Sequence, residues 1–380
     1  MTEGINVLSL FDGMSCGQIA LENMGIKVNK YYSSEIDKYA IQVTQDNYPN
    51  TIQLGDIRTL NSDNLAKIDL LIGGSPCQGF SFAGKQLNFS DPRSALFFEF
   101  VRLLKECKPK YFLLENVKMK QVNIDIISKY LKVHPIEINS ALVSAQSRKR
   151  LYWTNIPNVS QPKDQNVYLY NILEDGFTDR EKAHCIDANY FKGGNLKSYF
   201  KKRRRQLIFS KNELLHVGMA DLKGKDSLKR VYDPLGKSPT LTSMNGGNRE
   251  PKILCGAWRG RYTINGIRQD GKMKTAGLTT QRLEVRTDQK TNTLSTIQKD
   301  NSIIDIDKLS WRKLTPLECE RLQTVPDGYT KAVSNTQRYK MLGNGWTVKV
   351  IMNIFKGLNN ELKLKKISKE KIEEKIVIYK

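Results

Sequence analysis

The stretch IDLLIGGSPCQGFSF, residues 68–82, begins as an apolar run and ends as a loop of glycine, serine and a proline placed directly before Cys77. A short apolar run bounded by glycines reads as a fully buried strand. Pro76 fixes its own φ and restricts Ser75, so the thiol that follows is presented from a rigid turn at the strand's carboxyl end. INVLSLF (5–11) is a second buried-strand candidate, followed by a helical pattern in which Cys16, Ile19, Ala20 and Met24 share a face before Gly25 stops it. KYYSSEI (30–36), a helix over about 37–47, TIQL (51–54), the helical RSALFFEFVRLLKEC (93–107) and the strand YFLLENV (111–117) continue the alternation. Strands alternating with helices predict an α/β protein: a Rossmann-like, mostly parallel sheet with helices on both faces. Ligands of such sheets bind beyond the carboxyl ends of the strands.

From about 158 to 310 the long helical patterns disappear and Gly, Asn, Thr and basic residues rise. The heptads KSPTLTS (237–243) and KTNTLST (290–296) fit two comparable β-elements there. A last helical pattern carries Thr347, Ile351, Ile354, Phe355 and Leu358 on one face. The expected organisation is therefore one domain from 1–157 and 335–360, a smaller irregular β-rich domain over 158–334, and a charged tail over 361–380.

The 380 residues hold 61 Lys and Arg against 39 Asp and Glu, a net charge of +22 that favours a polyanionic partner. Six cysteines with no Cys-x-x-Cys pair, and three histidines at 134, 184 and 216, argue against both a metal site and a disulfide framework. The start lacks a basic region followed by an apolar core, and no run reaches the ~18 apolar residues of a membrane span. The expectation is a reduced, cytoplasmic protein with no membrane partner.

A lone cysteine is usually a small buried hydrophobe, but Cys77 follows a rigid proline, with Gly73, Gly74, Gly79 and Gly84 around it to admit a flat ligand. Pro-Cys-Gln-Gly-Phe-Ser at 76–81 resembles the catalytic motif of the cytosine-5 DNA methyltransferases, and the family's other blocks follow in order. FDGMSCG (11–17) resembles the first cofactor motif, with features of the de novo branch. Glu35 and Asp56 fall at the acids of the second and third motifs. Glu115-Asn116-Val117, Gln146-Ser147-Arg148-Lys149-Arg150, RKLTPLECERLQTVPDGY (312–329) and QRYKMLGNGWTVKVI (337–351) resemble the later blocks.

The resemblance implies methyl transfer from S-adenosylmethionine to C5 of a flipped cytosine in duplex DNA. Cys77 is the nucleophile because a thiolate adding at C6 makes C5 enamine-like and then leaves again. Glu115 stabilises the adduct at N3, Arg148 meets the cytosine O2, and Arg150 supports the adduct region. For the cofactor, Phe11 packs on adenine, Gly13 makes room for the methionine moiety, Glu35 holds the ribose hydroxyls and Asp56 the adenine amine. Asp12, Ser15, Ile36, Ile57, Pro76 and Asn344 complete that site. Asp12, Ser15 and Cys16 stand where the family commonly has Ala, Gly and Gly, so the loop is less glycine-rich. DNA contacts are expected from Gln78, Ser81, Lys85, Arg203, Arg204, Arg205, Asn245, Arg249 and Arg282.

The expected setting is a monomer, in a phage, stand-alone or restriction-modification context, where a cognate restriction endonuclease would act separately. Three alternatives stay open: the tRNA-methylating branch, whose recognition region is smaller; a catalytically silent DNA-binding relative, which would not need Cys77, Glu115 and Arg148 together; and a cysteine hydrolase, which would want a histidine base.

Overall fold

The computed structural model describes residues 4–76, 92–202, 204–209 and 311–378, together with the strands 216–219, 230–232, 255–261, 263–264, 267–268, 280–285 and 301–303. Its centre is a sheet of seven strands: β1 (Ile5–Leu10), β2 (Val28–Ser34), β3 (Ile52–Gln53), β4 (Leu70–Gly73), β5 (Tyr111–Val117), β6 (Ile136–Asn139) and β8 (Lys149–Thr154), with the two-residue β7 (Gln146–Ser147) outside it. The order is β3-β2-β1-β4-β5-β8-β6, parallel from β3 to β5 and antiparallel where β8 joins β5 and β6. The chain winds outward from β1 to β3 and then returns to the other side of β1 at β4. The carboxyl ends of β1 and β4 therefore flank a topological switch point, where ligands of open sheets bind.

Alternation along the central strands splits the core between two faces. Leu8, Leu10, Leu71, Phe112 and Leu114 lie in one cluster with Phe97, Phe100 and Leu103 of α3 (Pro92–Cys107) and Ile127 and Leu131 of α4 (Gln121–Leu131). Val7, Leu70, Ile72 and Leu113 are buried on the other face, where Ile72 reaches Gly17 of α1 (Cys16–Asn23). Both faces are thus covered, as the alternation predicts. Each such side chain contributes about 1.5–3 kcal/mol of transfer free energy. Trp153, wholly buried on β8, donates its indole N–H to Ser128 Oγ on α4 at 2.9 Å, so β8 is fixed to α4 by a polar pin as well as by packing.

The remaining helices are α2 (Lys38–Asn47), α5 (Leu196–Lys202), α6 (Pro316–Gln323), α7 (Asn335–Asn344) and α8 (Val348–Ile378). Thr315 and Glu318 form a reciprocal capping box with Pro316 at the first turn, which fixes where α6 starts. The tail expected to be charged continues α8 as far as Ile378, and among the described residues no helix is long and apolar enough to cross a membrane.

Two compact units divide the chain: Met1–Ile172, His184–Lys192 and Thr315–Lys380 in the first, Leu173–Ala183 and Gly193–Leu314 in the second. The boundaries expected at 158 and 334 move inward. Residues 315–334 belong to the first unit because their polar groups are spent there. Gln146 Nε2 donates to Leu322 O at 2.9 Å, and Tyr329 OH donates to Met14 O at 2.8 Å. The second unit has its own cluster of Leu196, Tyr199, Leu207 and Phe209, against which Phe177, Phe200 and Trp311 pack. Its strands include an antiparallel set of 280–285, 255–261 and 301–303. The two heptads lie outside the described residues.

Candidate active site

Glu115 sits at the carboxyl end of β5 and is 8% exposed. Its Oε1 takes an ion pair from Arg150 Nε at 3.0 Å, and its Oε2 accepts the indole N–H of Trp346 at 3.2 Å. A buried carboxylate needs such partners, because desolvation without them costs several kcal/mol. Arg150 reaches Glu115 from the neighbouring β8, where it pairs with Val117 in the antiparallel register. Burial pulls the Arg150 guanidinium down, but Glu115, Cys185 and Tyr152 together outweigh it and hold Arg150 above its ordinary value. Asn116, the next residue, is buried and donates Nδ2 to Ser75 Oγ at 3.1 Å, while its Oδ1 accepts the Val117 N–H at 2.8 Å. The end of β5 is thereby clamped to the end of β4, two residues before Cys77. Cys77 itself lies outside the described residues, as do Gln78, Ser81 and Lys85.

The two motif arginines lie in different surroundings. Arg148, expected at the base, is 4% exposed and donates to Ile186 O at 3.1 Å, Cys185 Sγ at 3.3 Å, Gly343 O at 3.2 Å and Gly345 O at 3.0 Å. Four of its five N–H groups are therefore committed to the protein. Arg150, expected only to support, is the arginine on Glu115. Around Arg148 lies a buried polar knot that sequence reasoning did not single out. Gln146 Nε2 donates to Gln323 Oε1 at 2.9 Å, Gln323 Nε2 to Leu342 O at 2.6 Å and Gly345 O at 3.1 Å, and Thr347 Oγ1 to Gln323 Oε1 at 2.9 Å. Gly343 has no room for a Cβ, which would stand 2.2 Å from the Asp187 carbonyl carbon. Residues 146–148, 323 and 342–347 meet here, so three of the motif blocks converge on one knot. The signal available in the sequence was that each block carries a polar residue with no surface role.

The first loop is held by a carboxylate rather than by glycine. Phe11 and Ser15 both adopt left-handed φ, 55° and 58°, which is costly for residues with a Cβ. Asp12 compensates: Tyr31 OH donates to its Oδ1 at 2.8 Å and Ser33 Oγ to its Oδ2 at 3.0 Å, with Ser9 and Ser15 hydroxyls adding further bonds. Burial nevertheless pushes the Asp12 carboxyl above its usual range, the four hydroxyls opposing that shift. Asp12 is thus an internal anchor of the loop. Glu35 accepts the backbone N–H of Gly13, Ile36 and Asp37, each at 2.8 Å. Beside it Ile36 is 72% exposed, an apolar side chain with its face open. Asp56 is capped by Arg58, whose side chain and then backbone N–H hold the carboxyl down at about 2. Ile57 is buried in the apolar core. Phe11 is half-buried against the same cluster, Pro76 is half-buried, and Asn344 is exposed at the end of α7. Exposed Ile36, the Glu35 carboxylate and the Gly13 turn fit an adenosine-bearing cofactor, since they offer an apolar face and an acceptor for hydroxyls in the adjoining loops after β1 and β2.

Of the residues expected on DNA, Arg203, Asn245 and Arg249 lie outside the described residues, and Arg282 is described only as backbone in the strand 280–285. Arg204 is exposed. Arg205 is half-buried at φ 59° and donates Nη1 to Gly193 O at 2.9 Å, so it braces its own turn.

A parallel sheet with a carboxylate at one strand end and a cofactor-type loop at another defines a methyltransferase-like α/β enzyme. The model of the C-5 cytosine-specific DNA methylase family matches residues 5–360, and the chain belongs to that family. It is a DNA (cytosine-5) methyltransferase of the phage and restriction-modification type. It is 31% identical to the orphan methyltransferase M.SPBetaI of Bacillus phage SPbeta, over 93% of this chain and 97% of that protein. It is 26% identical to the type II methyltransferase M.HhaI of Haemophilus parahaemolyticus, over 95% of this chain and 96% of that one. Among solved structures, the Entamoeba histolytica methyltransferase EhMeth superposes with a TM-score of 0.57 at 14% identity, covering 95% of this chain and 99% of its own.

Proposed function

We propose that the enzyme methylates C5 of a cytosine swung out of duplex DNA, through a transient bond between Cys77 and C6. The observation that carries this reading is the clamp of Asn116 on Ser75. It joins the strand end bearing Glu115 to the one leading into Pro76 and Cys77. Within a duplex C6 is stacked and out of reach, so the base must leave the stack.

The Cys77 thiolate adds to C6, and the C5=C6 electron pair moves toward C5 and N3. Glu115 would hold a proton at N3, and Arg150, which fixes the Glu115 carboxylate, would supply positive charge to the O2 edge. S-adenosylmethionine supplies an electrophilic methyl group when bound. C5 would take that methyl as the methyl–sulfur bond breaks and S-adenosylhomocysteine is left; the C5 proton would be lost to solvent, the N3 proton given back, and the S–C6 bond broken to restore the C5=C6 bond and the thiolate. Glu35 would accept the ribose hydroxyls in place of one of its backbone donors, and Ile36 would cover the adenine face. Asp12 acts by holding the loop, and Arg148 by holding residues 343–346. The second unit would contact DNA, with the chain's +22 charge supplying salt-dependent backbone affinity.

The test is incubation of purified protein with S-adenosylmethionine and mixed-sequence duplex, followed by nucleoside mass spectrometry with C77S alongside. New 5-methylcytosine that is lost in C77S is expected, and deamination sequencing of the same DNA reads the site. Methylation of transfer RNA in place of duplex would overturn the DNA reading. Binding of both ligands with no product would overturn catalysis.

A further inference from the structure

We propose that Trp346 is a positioning residue for Glu115, setting the plane of the carboxylate and linking it to the cofactor-side loop. The proposal rests on the role given to Glu115 above. The carboxylate receives one donor on each oxygen, Arg150 Nε on Oε1 at 3.0 Å and Trp346 Nε1 on Oε2 at 3.2 Å. Two donors on opposite oxygens fix rotation about the last side-chain torsion, which is otherwise broad. An indole N–H is donor-only and uncharged, so it orients the carboxylate without adding a second positive charge to the one Arg150 brings.

The fold goes to some length to bring the indole there. Gly74, at the end of β4, leaves the space: a Cβ on it would stand 3.0 Å from Trp346 Nε1 and 3.2 Å from Glu115 Oε2. The carbonyl before Trp346, that of Gly345, is held by Arg148 Nη2 at 3.0 Å and Gln323 Nε2 at 3.1 Å. The Gly345 backbone next to it lies against the first loop and α1: a Cβ on Gly345 would stand 2.8 Å from Met14 Cε and 3.5 Å from Cys16 Sγ, at the first residue of α1. The turn at 345–346 thus packs on the start of α1 while its indole reaches the Glu115 carboxylate. Arg148 and the glutamine knot gain a purpose: they hold the turn that carries the indole.

The experiment uses the full-length protein, with wild type assayed in parallel on a duplex carrying its sequenced site. A wild type that makes no 5-methylcytosine counts against the proposed function and leaves the geometry of Trp346 to the spectroscopic arm. In an active preparation, W346F is expected to lower kcat about tenfold, the loss of one hydrogen bond to a charged group, with S-adenosylmethionine affinity and the KM for DNA unchanged. G74A should slow wild type as well, since its methyl would stand against both the indole and the Glu115 carboxylate. Independently of whether W346F folds, labelling the four tryptophans with 15N should show one indole N–H resonance moving on E115A. An unchanged kcat in W346F, or indole resonances that all stay in place on E115A, would each overturn the proposal.

Discussion

Two glutamates in the first unit are each paired with an arginine, and they serve opposite ends. Glu320 is wholly buried: its carboxylate takes Gly328 N–H at 2.7 Å, Thr330 N–H at 2.9 Å, the Thr330 hydroxyl and Arg338 Nη2 at 2.9 Å. Glu115, among the described residues, takes only Arg150 and Trp346. A carboxylate offers about four acceptor positions. Glu320 has filled them with the turn from α6 to α7, whereas Glu115 keeps capacity at a strand end where ligands bind. Saturation, more than burial or pairing, separates a carboxylate that holds the fold from one that can act on a substrate.

The same distinction separates Arg148 from Arg150, and substitutions can break it. The largest expected effect is at Glu115. E115Q keeps shape and loses the charge that holds a proton at N3, so kcat should fall about 10²- to 10⁴-fold while the denaturation midpoint stays near wild type. If E115Q unfolds the protein and leaves the kcat of the folded fraction intact, the comparison fails. E320A should do the reverse. It takes the buried acceptor away from Arg338 and from the Gly328 and Thr330 N–H groups and should cost about 3–5 kcal/mol in urea unfolding, with kcat of the folded enzyme retained. R148M comes next. The carbonyls of Ile186 and Gly343 lose a donor inside the protein, at about 1–3 kcal/mol, and kcat falls only as far as Trp346 is displaced. A kcat loss from R148M as large as that from E115Q, without loss of stability, would return Arg148 to the base.

Most of the central sheet was legible because its strands bury both faces. Nothing but apolar residues can continue such runs, and YFLLENV (111–117) became β5 from end to end. Strand-end chemistry was legible for the same reason: Glu115 interrupts an apolar run at the point where the sheet stops. The roles of Arg148 and Arg150 were not. Which arginine finds Glu115 depends on β8 running antiparallel beside β5, and which finds carbonyls depends on 185–186 returning to the first unit after an excursion into the second. Both are facts of tertiary connection that a spacing of two residues does not carry. Trp346 was hidden likewise, because an aromatic residue after Gly345 reads as core until its indole is seen on a carboxylate.

The smallest effect sharpens the comparison on the cofactor side, where Asp56 is satisfied by a partner it can lose. Its pair with Arg58 depresses the carboxyl from 3.8 to about 2, so whatever stability it lends is present above 3.8 and lost as the pH falls through about 2. Arg58 is 68% exposed, and a pair so open to water contributes little to folding. R58A should therefore return the Asp56 titration, followed by carboxyl NMR, toward 3.8 and leave the urea midpoint at neutral pH unchanged. With Asp56 proposed to hold the adenine amine, R58A should also tighten S-adenosylmethionine binding slightly, since the carboxylate need not first give up a guanidinium. Weaker binding in R58A would mean that Arg58 is itself part of the cofactor site, and Asp56 would then belong with Glu320, as a carboxylate whose partner is built in.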